Sequence, residues 1–154
     1  MNATIVTGRI LLVEDETVIR EFCTRALTGA GHQVDEAEDG QSGWEALQAG
    51  RYDVLVTDNQ MPRLTGAELI LKLRAAQMTI PVILASGNIL PEHLAMDSSF
   101  QPLTALPKPF TSDQLVATVA EVLRLARPVG HGRGRTRPYL DAPGIPPRHW
   151  GLNE

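Results

Sequence analysis

Short apolar runs alternate with stretches whose apolar residues recur at helical spacing. Ile10-Leu11-Leu12-Val13, Val54-Leu55-Val56-Thr57, Pro81-Val82-Ile83-Leu84-Ala85 and Leu103 to Leu106 have the length of buried strands, and Gln33 to Glu36 is a shorter one. Between them, Val18, Ile19, Phe22, Ala26 and Leu27 predict a first helix over Glu16 to Ala30, closed by Gly29 and Gly31. After the Asp39-Gly40 turn, Trp44 and Leu47 give one face to a second helix that stops at Gly50. Leu69, Ile70 and Leu73 point a third helix, Gly66 to Ala76, inward. Prolines and serines confine a fourth to about Glu92 to Asp97. The last helix starts with a capping box, Thr111 with Gln114, carries the stripe Leu115, Val119, Val122, Leu123 and Ala126, and ends before Pro128. Five strands alternating with five helices predict an α/β fold, a doubly wound and mainly parallel sheet covered on both faces. Pro107 places the fifth strand at a sheet edge, where its missing N–H breaks no ladder.

Periodicity vanishes after Arg127, which divides the chain into a short lead at residues 1–8, a domain at 9–127 and a tail at 128–154. The tail has 5 prolines and 5 glycines in 27 residues and is expected to be flexible. Its four arginines oppose two acids, whereas Met1 to Arg127 carries 10 basic and 16 acidic residues. The run His131 to Arg137 is a weak nucleic-acid signal, and no direct DNA binding is expected. No apolar run approaches the roughly 18 residues that cross a bilayer, and Met1 to Gly8 has no signal-peptide pattern. A cytoplasmic location without membrane contact is the expectation. Cys23 is the single cysteine, so no intrachain disulfide forms, and its apolar neighbours predict a small core residue.

The strand ends carry the chemistry. The first ends in Glu14-Asp15, the third in Asp58-Asn59-Gln60-Met61-Pro62, the fourth in Ser86-Gly87, and the fifth leads to Lys108-Pro109-Phe110. In an open parallel sheet the C-terminal strand ends line one edge, so these groups converge. Each alone reads as a cap, a turn or a solvated charge, but four at successive strand ends describe one site. Glu14, Asp15 and Asp58 held together repel one another unless a cation sits among them, and Mg2+ suits a set of a few carboxylates completed by water and phosphate oxygens. A carboxylate beside such an ion can take up a phosphoryl group as an acyl phosphate. Ser86 and Lys108 supply a neutral donor and a positive charge for the phosphoryl oxygens.

These motifs, in this order from about Arg9 to Arg127, resemble the receiver domain of two-component response regulators. The resemblance implies a five-stranded sheet of order 2-1-3-4-5, and phosphorylation of Asp58 by a histidine kinase or histidine phosphotransfer protein with Mg2+ required. It implies that Asp15 and Asp58 bind the ion directly, that Glu14 acts mainly through water, and that the main-chain carbonyl of Gln60 completes the protein ligands. It further implies that Lys108 pairs with the phosphoryl oxygens and that its bond to Pro109 is cis. Such a domain is a phosphoacceptor that assists its own phosphorylation and dephosphorylation rather than a separate enzyme, and it signals through changed binding of a downstream protein. With only the tail after the domain, the resemblance fits a stand-alone receiver. The aromatic residue usual three positions before the lysine is replaced by Ala105, so output through the Ser86 to Asn88 loop and the short fourth helix is expected. A phosphorylation-independent interaction module is the alternative reading. An aspartyl phosphatase fits poorly, because Gln60 stands where the second aspartate is needed.

Overall fold

The computed structural model describes residues 6–87 and 98–126. Five strands form one sheet: β1 (Arg9–Val13), β2 (Gln33–Ala37), β3 (Val54–Asp58), β4 (Val82–Ser86) and β5 (Leu103–Pro107). All four pairings are parallel and the order is β2-β1-β3-β4-β5, with Pro107 on an edge strand as expected. The described helices are α1 (Thr17–Gly29), α2 (Gly40–Ala49), α3 (Gly66–Ala75) and α4 (Ser112–Ala126), with a single 3-10 turn at Ser98–Phe100. The helix expected over Glu92 to Asp97 and the tail lie outside the described residues. No described helix is long and apolar enough to cross a membrane.

Strand alternation sorts the core into two layers. Leu11, Val13, Leu55, Val82 and Leu84 face Leu47 of α2 and Leu69, Ile70 and Leu73 of α3. Ile10, Leu12, Val54, Val56 and Ile83 face Cys23 and Leu27 of α1 and Leu115, Val119 and Leu123 of α4. Because successive strand residues point to opposite faces, a continuous apolar strand is the signature of a sheet buried on both sides.

The expected stripe of α1 needs correction. Val18 is 78% exposed and Phe22 41% exposed, and the buried positions are Cys23 and Leu27 with Ile19 and Ala26 packed behind them. Phe22 instead meets Phe110, with ring centroids 6.4 Å apart. The capping box of the last helix is present, with Gln114 N–H on Thr111 Oγ1 at 3.0 Å and Thr111 N–H on Gln114 Oε1 at 2.8 Å. A second box, Thr65 with Glu68, starts α3 and went unread in the sequence.

His32, just before β2, is buried, and its Nδ1 accepts the Gly8 N–H at 3.2 Å. Burial holds its pKa below the ordinary 6.5. The unfolded chain therefore takes the proton first. The stability given by neutral His32 is complete above pH 6.5 and is lost as pH falls through that value toward the lower folded one. Thermal unfolding across this range is expected to show an acid-side loss that is shallower in His32→Gln, whose amide oxygen can still accept from Gly8. An unchanged slope in that variant would assign the acid sensitivity to other groups.

Candidate functional site

The parallel order brings the C-terminal ends of β1, β3, β4 and β5 to one edge, at the crevice where connections from β1 and β3 leave toward opposite faces. Asp58 is the last residue of β3 and is buried. The lysine after β5 reaches across β4 to it, with Lys108 Nζ 2.8 Å from Asp58 Oδ1 and 3.7 Å from Glu14 Oε1. Glu14 and Asp15 follow β1, and one carboxylate oxygen from each of Glu14, Asp15 and Asp58 lies within 4.8 Å of the others. Glu14 is buried and Asp15 half-buried.

Burial raises the Glu14 pKa above the ordinary 4.5, and the charges of Asp58 and Asp15 add to this, against the Glu16 N–H and Lys108. The Lys108 pKa is raised as well. Burial opposes its charge, but the hydrogen bond and charge of Asp58, followed by Glu14, outweigh it. The lysine thus stays ammonium beside two buried carboxylates, as a partner for anionic oxygen must.

Main-chain contacts fix the strand ends. Glu14 N–H donates to the Ala37 carbonyl at 3.0 Å, Asn59 N–H to Ala85 at 3.1 Å and Lys108 N–H to Ser86 at 2.9 Å. Ser86 is buried at the end of β4, next to Pro107 in register. The Lys108–Pro109 bond is cis. Gln60 is exposed two residues beyond Asp58. The loop after β3 turns back on itself, with Gly66 N–H on the Asn59 carbonyl at 2.9 Å and Ala67 N–H on Asn59 Oδ1 at 3.0 Å. A Cβ on Gly66 would stand 2.5 Å from the Asp58 carbonyl oxygen and 2.9 Å from Asn59 Cα, so only glycine lets α3 begin this close to Asp58.

The structure therefore gathers the predicted Glu14, Asp15, Asp58 and Lys108, with Ser86 on the intervening strand. Ala105 is exposed on β5, paired in register with Leu84. Asn88 lies outside the described residues. Two features were not read from the sequence. Arg20 of α1 donates to the Glu14 carbonyl at 2.7 Å. An apolar hollow of about 520 Å3, lined by Ile19, Phe22, Gly87, Lys108, Pro109 and Phe110, opens beside the lysine. The sequence signalled neither, since Phe22 fits the apolar stripe of α1 and an arginine on a helix carries no mark of its partner.

The donor set fits a small hard cation. Oxygens around an ion bound at 2.0–2.1 Å lie up to about 4.2 Å apart, which the 4.8 Å cluster matches with slight movement. Three carboxylates with one ammonium leave negative charge for a dication to neutralise.

The family model of the response regulator receiver domain matches residues 10–120. Transcriptional regulatory protein CusR of Escherichia coli is 33% identical over 116 residues, covering 75% of this chain and 51% of CusR. The chain thus spans about half the length of the curated relatives it matches. Among solved structures, the Francisella response regulator 1452 receiver domain superposes with a TM-score of 0.71 at 27% identity, covering 78% of this chain and 99% of that one. Response regulator TrrA of Thermotoga maritima, solved in complex with Mg2+-BeF, gives 0.64 at 29% identity, covering 74% and 97%.

Proposed function

This chain belongs to the response regulator receiver family, and from that premise we propose that Asp58 accepts a phosphoryl group from the phosphohistidine of a histidine kinase or histidine phosphotransfer protein. The observation that carries the reading is the Lys108 ammonium 2.8 Å from a buried Asp58 whose neighbours are the carboxylates of Glu14 and Asp15. An Asp58 oxygen attacks phosphorus, a P–O bond forms as the P–N bond to the donor imidazole breaks, and the imidazole leaves and takes up a proton. Lys108 neutralises charge on the phosphoryl oxygens, and the Ser86 hydroxyl donates to one of them. Asp15 and Asp58 would hold Mg2+ directly, with Glu14 through water and the Gln60 carbonyl as a further ligand. Glu14 suits the indirect role, because Oε2 already accepts the Glu16 N–H at 3.1 Å and Oε1 faces Lys108. When bound, Mg2+ would offset the negative charge gathered as phosphate approaches. That the similar TrrA was solved in complex with Mg2+-BeF supports Mg2+ as the ion. The apolar hollow beside Lys108 offers the donor protein a seat next to the acceptor.

The test is treatment with acetyl phosphate, with and without Mg2+, followed by intact-mass measurement. One added phosphoryl group, dependent on Mg2+, is expected; no adduct with the ion present would refute the reading. Mg2+ alone is also expected to raise stability, since a ligand of the native state contributes RT ln(1 + [L]/Kd), about 1–3 kcal/mol well above Kd. Thermal unfolding should show the shift, and Asp15→Ala should reduce it. An equal shift in that variant would place the ion elsewhere.

A further inference from the structure

The turn that carries Glu14 and Asp15 lacks the ordinary support of a helix start. Glu16, which precedes α1, makes no side-chain cap hydrogen bond, although a helix N-terminus leaves several N–H groups to satisfy. The Glu14 carboxylate takes one of them, from Glu16, and the Glu14 N–H is held by Ala37 of β2. The remaining main-chain group of Glu14 is its carbonyl, and Arg20 holds it: Nη1 lies 2.7 Å from that oxygen. The guanidinium is itself fixed. Its Nε is 3.7 Å from Glu36 Oε1 on β2, and Glu36 accepts the Thr24 hydroxyl of α1. The Arg20 side chain is only 15% exposed.

We infer that Arg20 is a positioning residue of the acidic site, setting the direction of Asp15 through the peptide plane that joins it to Glu14. The carbonyl that Arg20 grips belongs to that plane, and a peptide unit is rigid. Turning the carbonyl turns the N–Cα bond of Asp15 and sweeps its carboxylate away from Asp58. A planar guanidinium, donating to the carbonyl through one nitrogen while another faces Glu36, holds this orientation in a way that a flexible ammonium does not. The inference rests on the reading of Glu14, Asp15 and Asp58 as a Mg2+ site.

The sign of the effect separates positioning from charge. As a bare charge, Arg20 would repel a dication, and its removal would strengthen Mg2+ binding. As a positioning residue its removal weakens binding, and the nearby Glu36 carboxylate opposes its field. The test titrates Mg2+ alone by calorimetry into the full chain and its Arg20→Gln, Arg20→Lys and Asp15→Ala variants, with thermal unfolding in chelator as the stability control. Acetyl phosphate labelling across a Mg2+ series completes it. Arg20→Gln is expected to weaken Mg2+ on the order of 10-fold, in the range seen for groups that orient ligands from behind. Arg20→Lys should fall between it and wild type, and the labelling rate at saturating Mg2+ should stay near wild type. Unchanged or tighter Mg2+ binding in Arg20→Gln would overturn the inference, as would a loss confined to stability in chelator. A wild-type chain that binds no Mg2+ would overturn the metal-site reading itself, a result distinct from equal binding by wild type and variant.

Discussion

Asp58→Asn is expected to abolish phosphorylation by acetyl phosphate or a phosphohistidine donor, with no adduct in the intact mass and a cooperative unfolding transition retained. The amide keeps the shape of the side chain and its place at the end of β3, but offers no anionic oxygen to form an acyl phosphate. It also turns the 2.8 Å partner of Lys108 from an anionic into a neutral acceptor and leaves Glu14, at 3.7 Å, as its nearest carboxylate. Glu14 does not replace the lost nucleophile, because one of its oxygens is engaged by the Glu16 N–H and the other by Lys108. Lys108→Ala keeps the nucleophile and removes only the charge beside it, so slower labelling is expected there rather than none. A wild-type level of adduct in Asp58→Asn would move the acceptor to another carboxylate.

The site was legible in the sequence because topology did the assembling. Once the strands are parallel and their order is known, the residues after Val13, Thr57, Ala85 and Pro107 must share an edge, and each carried the right chemistry. The strands were legible for a related reason, since burial on both faces leaves an unbroken apolar run. The phase of α1 was harder. Val18 and Phe22 fit an apolar stripe as well as Cys23 and Leu27 do, and period alone cannot tell which side meets the sheet. Phe22 lies out because its contact is Phe110, in the loop after β5, which no local pattern announces. Arg20 and Arg74 were illegible for a different reason. A helical arginine normally extends into solvent, and what captures these two is main-chain carbonyls outside their helices: Glu14 just before α1 for Arg20, and Met78, Ile80 and the more distant Phe100 and Pro102 for Arg74.

Arg74 illustrates what such a capture is worth, and Arg74→Met is expected to destabilise the domain by about 3 kcal/mol or more. The guanidinium, near the end of α3, donates to the carbonyls of Met78 at 2.9 Å, Ile80 at 2.8 Å and Pro102 at 2.8 Å, and twice to Phe100 at 3.3 and 3.2 Å. It thereby ties α3 to the connection before β4 and to the turn before β5, where the Pro102 carbonyl also accepts the Val82 N–H at 3.1 Å. Burial pushes its pKa down to about 10, so the group remains charged at neutral pH. A hydrogen bond from a charged donor is worth roughly 1.5–3 kcal/mol, and a buried carbonyl left without a partner costs a further 1–3. Methionine fills much of the space and supplies no donor, so the loss reports the hydrogen bonds rather than a cavity. Arg74→Lys should recover part of it, since one ammonium can satisfy the near carbonyls of Met78 and Ile80 but cannot span to Phe100 and Pro102 as the fork does. Denaturant unfolding of the three proteins measures the difference. Because these contacts lie at the end of the sheet opposite Asp58, the Mg2+ affinity of the folded variants should match wild type. A loss below about 1 kcal/mol in Arg74→Met would mean that water replaces the guanidinium at these carbonyls with little penalty.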